Sequence, residues 1–338
     1  MVLNTSWHFS VEMTDEAFAS VNVPFSAVSI LFNIFFVYCM VVPQQGAEQL
    51  KEPLKVLLGS LIGCNITIHF CSLLFVFNEF VFRDIIKNVN LLHIICPLIL
   101  TVMIYTMMTI VMSSHWKNMF YFCQIVPLQH SFFVWFKRNI RALIYSALIL
   151  NKIFCLFGMA VGVFYNTVQF SMNLANNFTN DTQDALWNSL QINYMLCFAS
   201  FMFTLALYML SLCVMLASSC AVVLYLWRHM KNVEESGLVS PRLQRQIKMT
   251  ITGITVQALL HFLCSFWNNT WNSELYIFPE VNVDWNGHIV CTIISLYSSG
   301  TTINMMVGQS LFRQGVVHVW QKLLQTFNFC CVRINKGL

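Results

Sequence analysis

Several polar side chains stand inside otherwise apolar stretches of this chain, among them Asn33, Asn65, His69, Lys152, His261, Asn304 and Gln309. The chemistry open to them is narrow. Amides and imidazoles exchange hydrogen bonds and a lysine brings a charge, but no Asp or Glu accompanies them in those stretches. A membrane enzyme or an ion-coupled transporter keeps acidic or metal-binding groups there, because intramembrane charge is costly and retained for function. Metal, phosphate and redox motifs are missing too: the chain has no HExxH, no Walker loop and no CxxC. The expectation is therefore no catalysis, no cofactor, no bound metal and no nucleic-acid partner. The polar residues read as hydrogen bonds between helices, worth about 0.6–2 kcal/mol each. His69 and His261, placed in the middle or outer half of their stretches, equally suit a ligand cavity, and Lys152 suits a backbone carbonyl or snorkelling.

The elements that must position these residues are set by composition. Of 338 residues, 57% are hydrophobic and only 9% charged, against about 25% charged in soluble domains. Such a chain cannot cover a surface facing water, so it reads as an all-α membrane protein. Apolar stretches at about 22–42, 54–77, 91–122, 139–164, 190–227, 247–267 and 287–310 each supply the ~20 residues that a bilayer crossing needs. They predict a seven-transmembrane helix bundle over 22–310, a polar N-terminal segment over 1–21, and an amphipathic helix and tail over 311–338. The third and fifth stretches exceed the need and should tilt or project into water. Residues 1–21 lack the basic start and cleavage pattern of a signal peptide, so the first span would act as an uncleaved signal anchor. Paired Gly- or Pro-broken helices, the mark of inverted-repeat transporters, are absent.

Lys and Arg collect in the segments 43–53, 123–138, 228–246 and 311–338 and at adjoining helix ends, whereas the opposite loops hold only Arg83 and Lys87. Basic loops stay cytoplasmic, which predicts an extracellular N-terminus, a cytoplasmic C-terminus and a plasma-membrane location. Sequons at Asn4, Asn177, Asn180 and Asn268 fall on the predicted outer side and are candidate glycosylation sites. The loops 166–189 and 268–286 hold no cysteine, so Cys96 has no loop partner and a disulfide framework is not expected. Cys330 and Cys331 follow the amphipathic segment; they suit palmitoylation, or stay free thiols.

One stretch, Phe120–Arg141 (FYFCQIVPLQHSFFVWFKRNIR), joins spans three and four. Aromatics followed by Lys137, Arg138 and Arg141 suit a membrane–cytoplasm boundary. It also resembles the type 2 (bitter) taste receptors, whose pattern FYF-x-K-I followed by HPLFLWLK matches Phe120–Ile125 and His130–Lys137. Leu226–Lys231 (LWRHMK) is similar to the family's SLWKHTKQM and Arg245–Met249 to its VKALKTM. Asn33–Val37 matches NGFIV, and Ser299–Thr302 with Gly308–Gln314 resembles SGHS followed by GNSKLKQ. The matches run through the chain in order. Departures are Asn65 for the family's Arg, His130-Ser131 for HP, Thr301 for His, and Met103 and Met107 where Trp and Asn are usual.

The resemblance implies a G-protein-coupled chemosensory receptor whose bundle cavity takes a small, mostly apolar agonist. Candidate ligand-binding residues are Met103, Thr106, Met107, Tyr194, His261, His288 and Cys291. Methionine's polarisable, flexible side chain suits a tolerant pocket, though Met stripes also simply fill bundles. At the inner face Tyr121, His130, Arg228, His229, Lys231 and Lys248 are the coupling candidates, for a gustducin-like heterotrimeric G protein. The same cations could instead set topology and attract anionic membrane lipids. A vomeronasal type 1-like pheromone receptor is the nearest alternative, although that family usually carries an outer-loop cysteine. A channel or transporter subunit is the alternative from another class.

Overall fold

Helix α1 starts at Asp15 rather than near residue 22, because Thr14 caps it: the Thr14 side chain accepts from the Ala17 N–H. Asp15 and Glu16 occupy the first turn, where negative charge complements the helix dipole. The computed structural model describes residues 12–42, 50, 52–82, 89–127, 130–174, 180–235, 241–277 and 287–335. Within these, the helices are α1 (Asp15–Val41), α2 (Leu54–Phe77) continued by a π-helical turn (Asn78–Phe82), α3 (Val89–Ile125), α4 (Ser131–Leu174), α5 (Asn180–Glu235), α6 (Pro241–Ile277), α7 (His288–Gly308) and α8 (Ser310–Asn335). Seven of them, α1 to α7, are long and apolar enough to cross a bilayer.

Helices α3 and α5 are long, at 37 and 56 residues. Helix α4 is longer than hydropathy indicates, at 44 residues, and this corrects the expected inner loop 123–138. It begins at Ser131 because His130 caps it: the Phe132 N–H donates to His130 Nδ1 at 3.3 Å and the Val134 N–H to the His130 carbonyl at 3.1 Å. The run 131–138 is amphipathic, with Phe133 and Phe136 packed inward and Phe132, Val134 and Trp135 outward. Its charges pull it below the hydropathy of a span, yet the backbone stays helical.

Helix α3 stands at the centre, against α2, α4, α5 and α7, while α7 packs on α1, α2 and α6. Large apolar side chains such as Leu31, Ile34, Leu150, Ile153, Leu156 and Leu210 point outward, as lipid-facing surfaces require. Glycine permits close approach on two faces: a Cβ on Gly158 of α4 would collide with the Tyr105 ring of α3, and one on Gly300 of α7 would sit 2.8 Å from Leu260 of α6. Small residues at such crossings let helices pack tightly without water to drive them together.

A polar seam joins α1, α2 and α7 along their length. Asn22 donates to Thr292 at 2.7 Å and accepts from Ser72 at 3.2 Å. Below it, His69 pairs with Ser26 at 3.2 Å and Ser29 with Ser299 at 2.8 Å. Asn33 and Asn65 both donate to Thr302, at 3.0 and 3.1 Å, while Asn65 Oδ1 accepts from Ser298 and Thr301 at 2.8 and 3.2 Å. Asn304 reaches across to Gln257 of α6 at 2.7 Å. Asn33, Asn65, His69 and Asn304 therefore act as interhelical hydrogen-bonding groups. Lys152 does not: its side chain is exposed on α4.

Candidate functional site

The bundle has a basic end, where α1, α3, α5 and α7 finish, and an N-terminal end, where they begin. Between the two lies a sulfur-rich centre. Met103 and Met107 on α3 are fully buried, four residues apart and hence on one helical face. The Cys264 thiol of α6 meets Met107 Sδ at 3.0 Å, and the Cys291 thiol of α7 meets Met103 Sδ at 3.6 Å. His261, one turn before Cys264, is also fully buried, yet neither ring nitrogen has a hydrogen-bond partner. The Tyr208 hydroxyl of α5 is buried without one as well. Each such group forfeits about 1–3 kcal/mol, so a polar atom of a bound molecule reaching His261 would recover that cost.

Four of the seven ligand candidates, Met103, Met107, His261 and Cys291, thus stand in the centre. The other three stand elsewhere. Thr106 looks sideways into a groove between α2, α3 and α4 of about 690 Å³, which Ser60, Cys64, Tyr145 and Lys152 also line. Gly59 and Gly63 of α2 border it, with no atom near where their Cβ would be. Tyr194 sits 41% exposed towards the start of α5. His288 opens α7 at the N-terminal end, stacked on Phe18 with ring centroids 4.5 Å apart.

At the basic end the coupling candidates divide similarly. Tyr121, at the close of α3, is bonded to Gln309, the single non-helical residue between α7 and α8: its hydroxyl lies 3.1 Å from Oε1 and accepts from Nε2 at 2.8 Å. His130 caps α4. Arg228, His229, Lys231 and Lys248 are exposed on α5 and α6; His229 stacks on Tyr225 and Lys231 lies 4.0 Å from Glu235. These side chains reach outward from α5 and α6 instead of packing between helices. Helix α8 is held by Phe312 stacked on Phe36 of α1, centroids 4.3 Å apart, and by Arg313, which donates to the Val307 carbonyl at 2.8 Å.

The model of the family described as taste receptor protein (TAS2R) matches residues 10–324, a span running from the start of α1 into α8. The chain belongs to this family. No curated protein sequence matches it. As a TAS2R protein it is a multi-pass membrane receptor of the G-protein-coupled class, built on a seven-helix bundle with α8 appended.

Two features of this taste receptor escape sequence reasoning. Asn118 of α3 donates to Ser218 and Ser219 of α5 at 3.0 and 2.8 Å, and Lys117 beside it is buried. Both lie in the apolar third stretch, and their inward direction is the one signal available: Asn118 and Tyr121 are three residues apart, on one face of α3. The Gln309 bond to Tyr121 spans 188 positions and has no local signature. Of the sequons, Asn180 opens α5 and Asn268 lies within α6, whereas Asn4 and Asn177 fall outside the described residues. None of the ten cysteines with described side chains forms a disulfide, Cys96 included. Cys330 and Cys331 lie towards the end of α8.

Proposed function

We propose that this receptor detects small, mostly apolar, bitter-type compounds at the N-terminal half of its bundle and activates a gustducin-like heterotrimeric G protein at the basic end. The observation that carries the reading is the taste-receptor match running through all seven spans. The basic end then faces the cytoplasm, the 1–21 segment and the sequons at Asn4, Asn177, Asn180 and Asn268 face outward, and the 311–338 segment lies beneath the bilayer. His261 supplies an orphaned polar handle one turn from Cys264, which meets Met107, while Met103 and Cys291 pair beside it on α3 and α7 to give an apolar, polarisable centre. That is the composition of a tolerant small-molecule site. Thr106 belongs to the lateral groove, whose volume of about 690 Å³ is ample for a drug-sized molecule, and Tyr194 and His288 stand nearer the mouth. Tyr121, His130, Arg228, His229, Lys231 and Lys248 form the G-protein face, and anionic lipids share its cations.

A ligand drives signalling only by favouring one bundle arrangement over another. Screening diverse bitter compounds in cells that express the receptor with a promiscuous G protein should give calcium release that disappears when the G protein is omitted. Ligand-gated current through the purified protein in plain liposomes would replace this reading with the channel. The family match favours taste over the vomeronasal type 1 alternative.

A further inference from the structure

Three helices bring metal-ligating side chains together at the N-terminal end of the bundle. Asp15 comes from the first turn of α1, Glu79 from the π-helical turn after α2, and His288 from the first residue of α7. One ligand atom of each lies within 4.8 Å of the other two. Asp15 Oδ1 is 3.8 Å from His288 Nδ1. In a tetrahedral zinc site with bonds of about 2.1 Å, neighbouring ligand atoms are about 3.4 Å apart. Rotation of the Asp15 and Glu79 side chains towards a fixed His288 ring would therefore close this set around one ion. A π-turn within a helix is itself a frequent mark of a functional position.

The histidine is prepared for a ligand. His288 is 1% exposed and clamped between Phe18, stacked at 4.5 Å, and the edge of Phe75 at 5.8 Å. Its Nδ1 lies 3.0 Å from the Met13 carbonyl while its Nε2 has no partner. With Nδ1–H held by that carbonyl, as in many metal-bound imidazoles, an ion would bind at Nε2, and the Asp15 carboxylate would turn from Nδ1 towards it. A fourth donor stands close by: the Cys96 thiol at the start of α3 is 3.6 Å from Glu79 Oε1.

We propose that Asp15, Glu79 and His288 form an extracellular binding site for a divalent transition-metal ion, zinc above all. Two carboxylates balance the ion's charge, and one imidazole selects zinc over magnesium or calcium, which take oxygen ligands alone. A bound ion would tie α1, the end of α2 and α7 together at the mouth of the bundle. Its effect on signalling rests on the receptor reading above, since it would act only through unequal affinity for the two bundle arrangements; its binding does not.

The test is a titration of chelator-washed, detergent-solubilised full-length receptor with zinc chloride, read as a shift in thermal unfolding temperature. Wild type should show a saturable rise at micromolar zinc and none with magnesium. Glu79→Gln and Asp15→Asn, near-isosteric and each removing one donor, should each weaken the midpoint by at least about tenfold. Cys96→Ser decides whether the thiol is a fourth ligand or a bystander. Absence of a saturable shift in wild type overturns the proposal, as does a shift of unchanged midpoint in both variants. If Glu79→Gln does not fold, the Asp15→Asn midpoint alone decides. In cells, micromolar extracellular zinc should change the agonist response of wild type and not of Asp15→Asn. Binding without that change refutes the modulatory role and leaves the site standing.

Discussion

The bond between Tyr121 and Gln309 offers the sharpest test of the proposed G-protein face. It joins α3 to the joint between α7 and α8 through 3.1 and 2.8 Å contacts at a hydroxyl that sits in a partly buried position. Interhelical side-chain bonds in membrane proteins average about 0.6 kcal/mol and reach about 1.7. If that energy belongs to the signalling arrangement, its loss shifts the equilibrium about three- to eighteenfold. Tyr121→Phe deletes only the hydroxyl and keeps the ring among its apolar neighbours, and Gln309→Leu removes the partner at similar volume. Both should lower agonist potency by that factor in a calcium assay normalised to surface expression, with agonist binding and surface level nearly unchanged. The double variant should be no worse than either single one, because the same bond cannot be lost twice. Strictly additive losses would show that the two residues act separately. Wild-type signalling in both variants would refute the placement of the coupling face.

Four further outcomes follow from the same geometry. Tyr121→Ala and His229→Ala should reduce G-protein activation while preserving agonist binding; both residues at wild-type level would make the aromatic–basic boundary merely interfacial. Asn65→Leu removes the acceptor for Ser298 and Thr301 and a donor to Thr302, which should cost about 1–3 kcal/mol and show as a lower unfolding temperature in detergent. Gly158→Leu forces a side chain into the Tyr105 ring, an overpacking worth about 1–3 kcal/mol or more, read as loss of surface expression. An epitope tag before Val2 should stain on intact cells and one after Leu338 only after permeabilisation, and the reverse pattern would invert the proposed topology.

The spans were legible because membrane solvation depends on composition over about 20 residues, and each apolar stretch holds its helix. Their ends were not, because ends are decided by single side chains. Thr14 extends α1 and His130 extends α4, and neither changes a hydropathy window. The polar seam was half legible: Asn33, Asn65, His69 and Asn304 stood out, while their partners Ser26, Ser29, Ser298 and Thr302 look like ordinary small residues. Thr106 shows the limit of spacing arguments within one helix. It lies between Met103 and Met107 in sequence, yet a rotation of about 100° per residue turns it towards the lateral groove while the methionines face α6 and α7. The Asp15, Glu79 and His288 cluster was invisible, since no spacing rule links donors from three helices.

The two zones of the receptor are linked by the register of α3 on α7. Met103 meets Cys291 in the centre, and Tyr121 meets Gln309 at the basic end; both pairs are 188 positions apart. Met103 and Tyr121 are eighteen residues apart on α3, as are Cys291 and Gln309 from α7 to its joint with α8. Eighteen residues make five turns and about 27 Å of rise, so each pair recurs on the same face of its helix. Helices α3 and α7 are therefore parallel struts pinned at both ends, one pin made of sulfur contacts and the other of a hydroxyl–amide bond. The sulfur pin is soft and adapts to what lies beside it, whereas the hydroxyl–amide pin is directional and fails steeply with angle. A displacement of α3 along α7 would meet little resistance at the centre and would strain or release the bond at the basic end. That asymmetry makes the Tyr121–Gln309 bond the more sensitive of the two pins to any change in the register of α3 on α7.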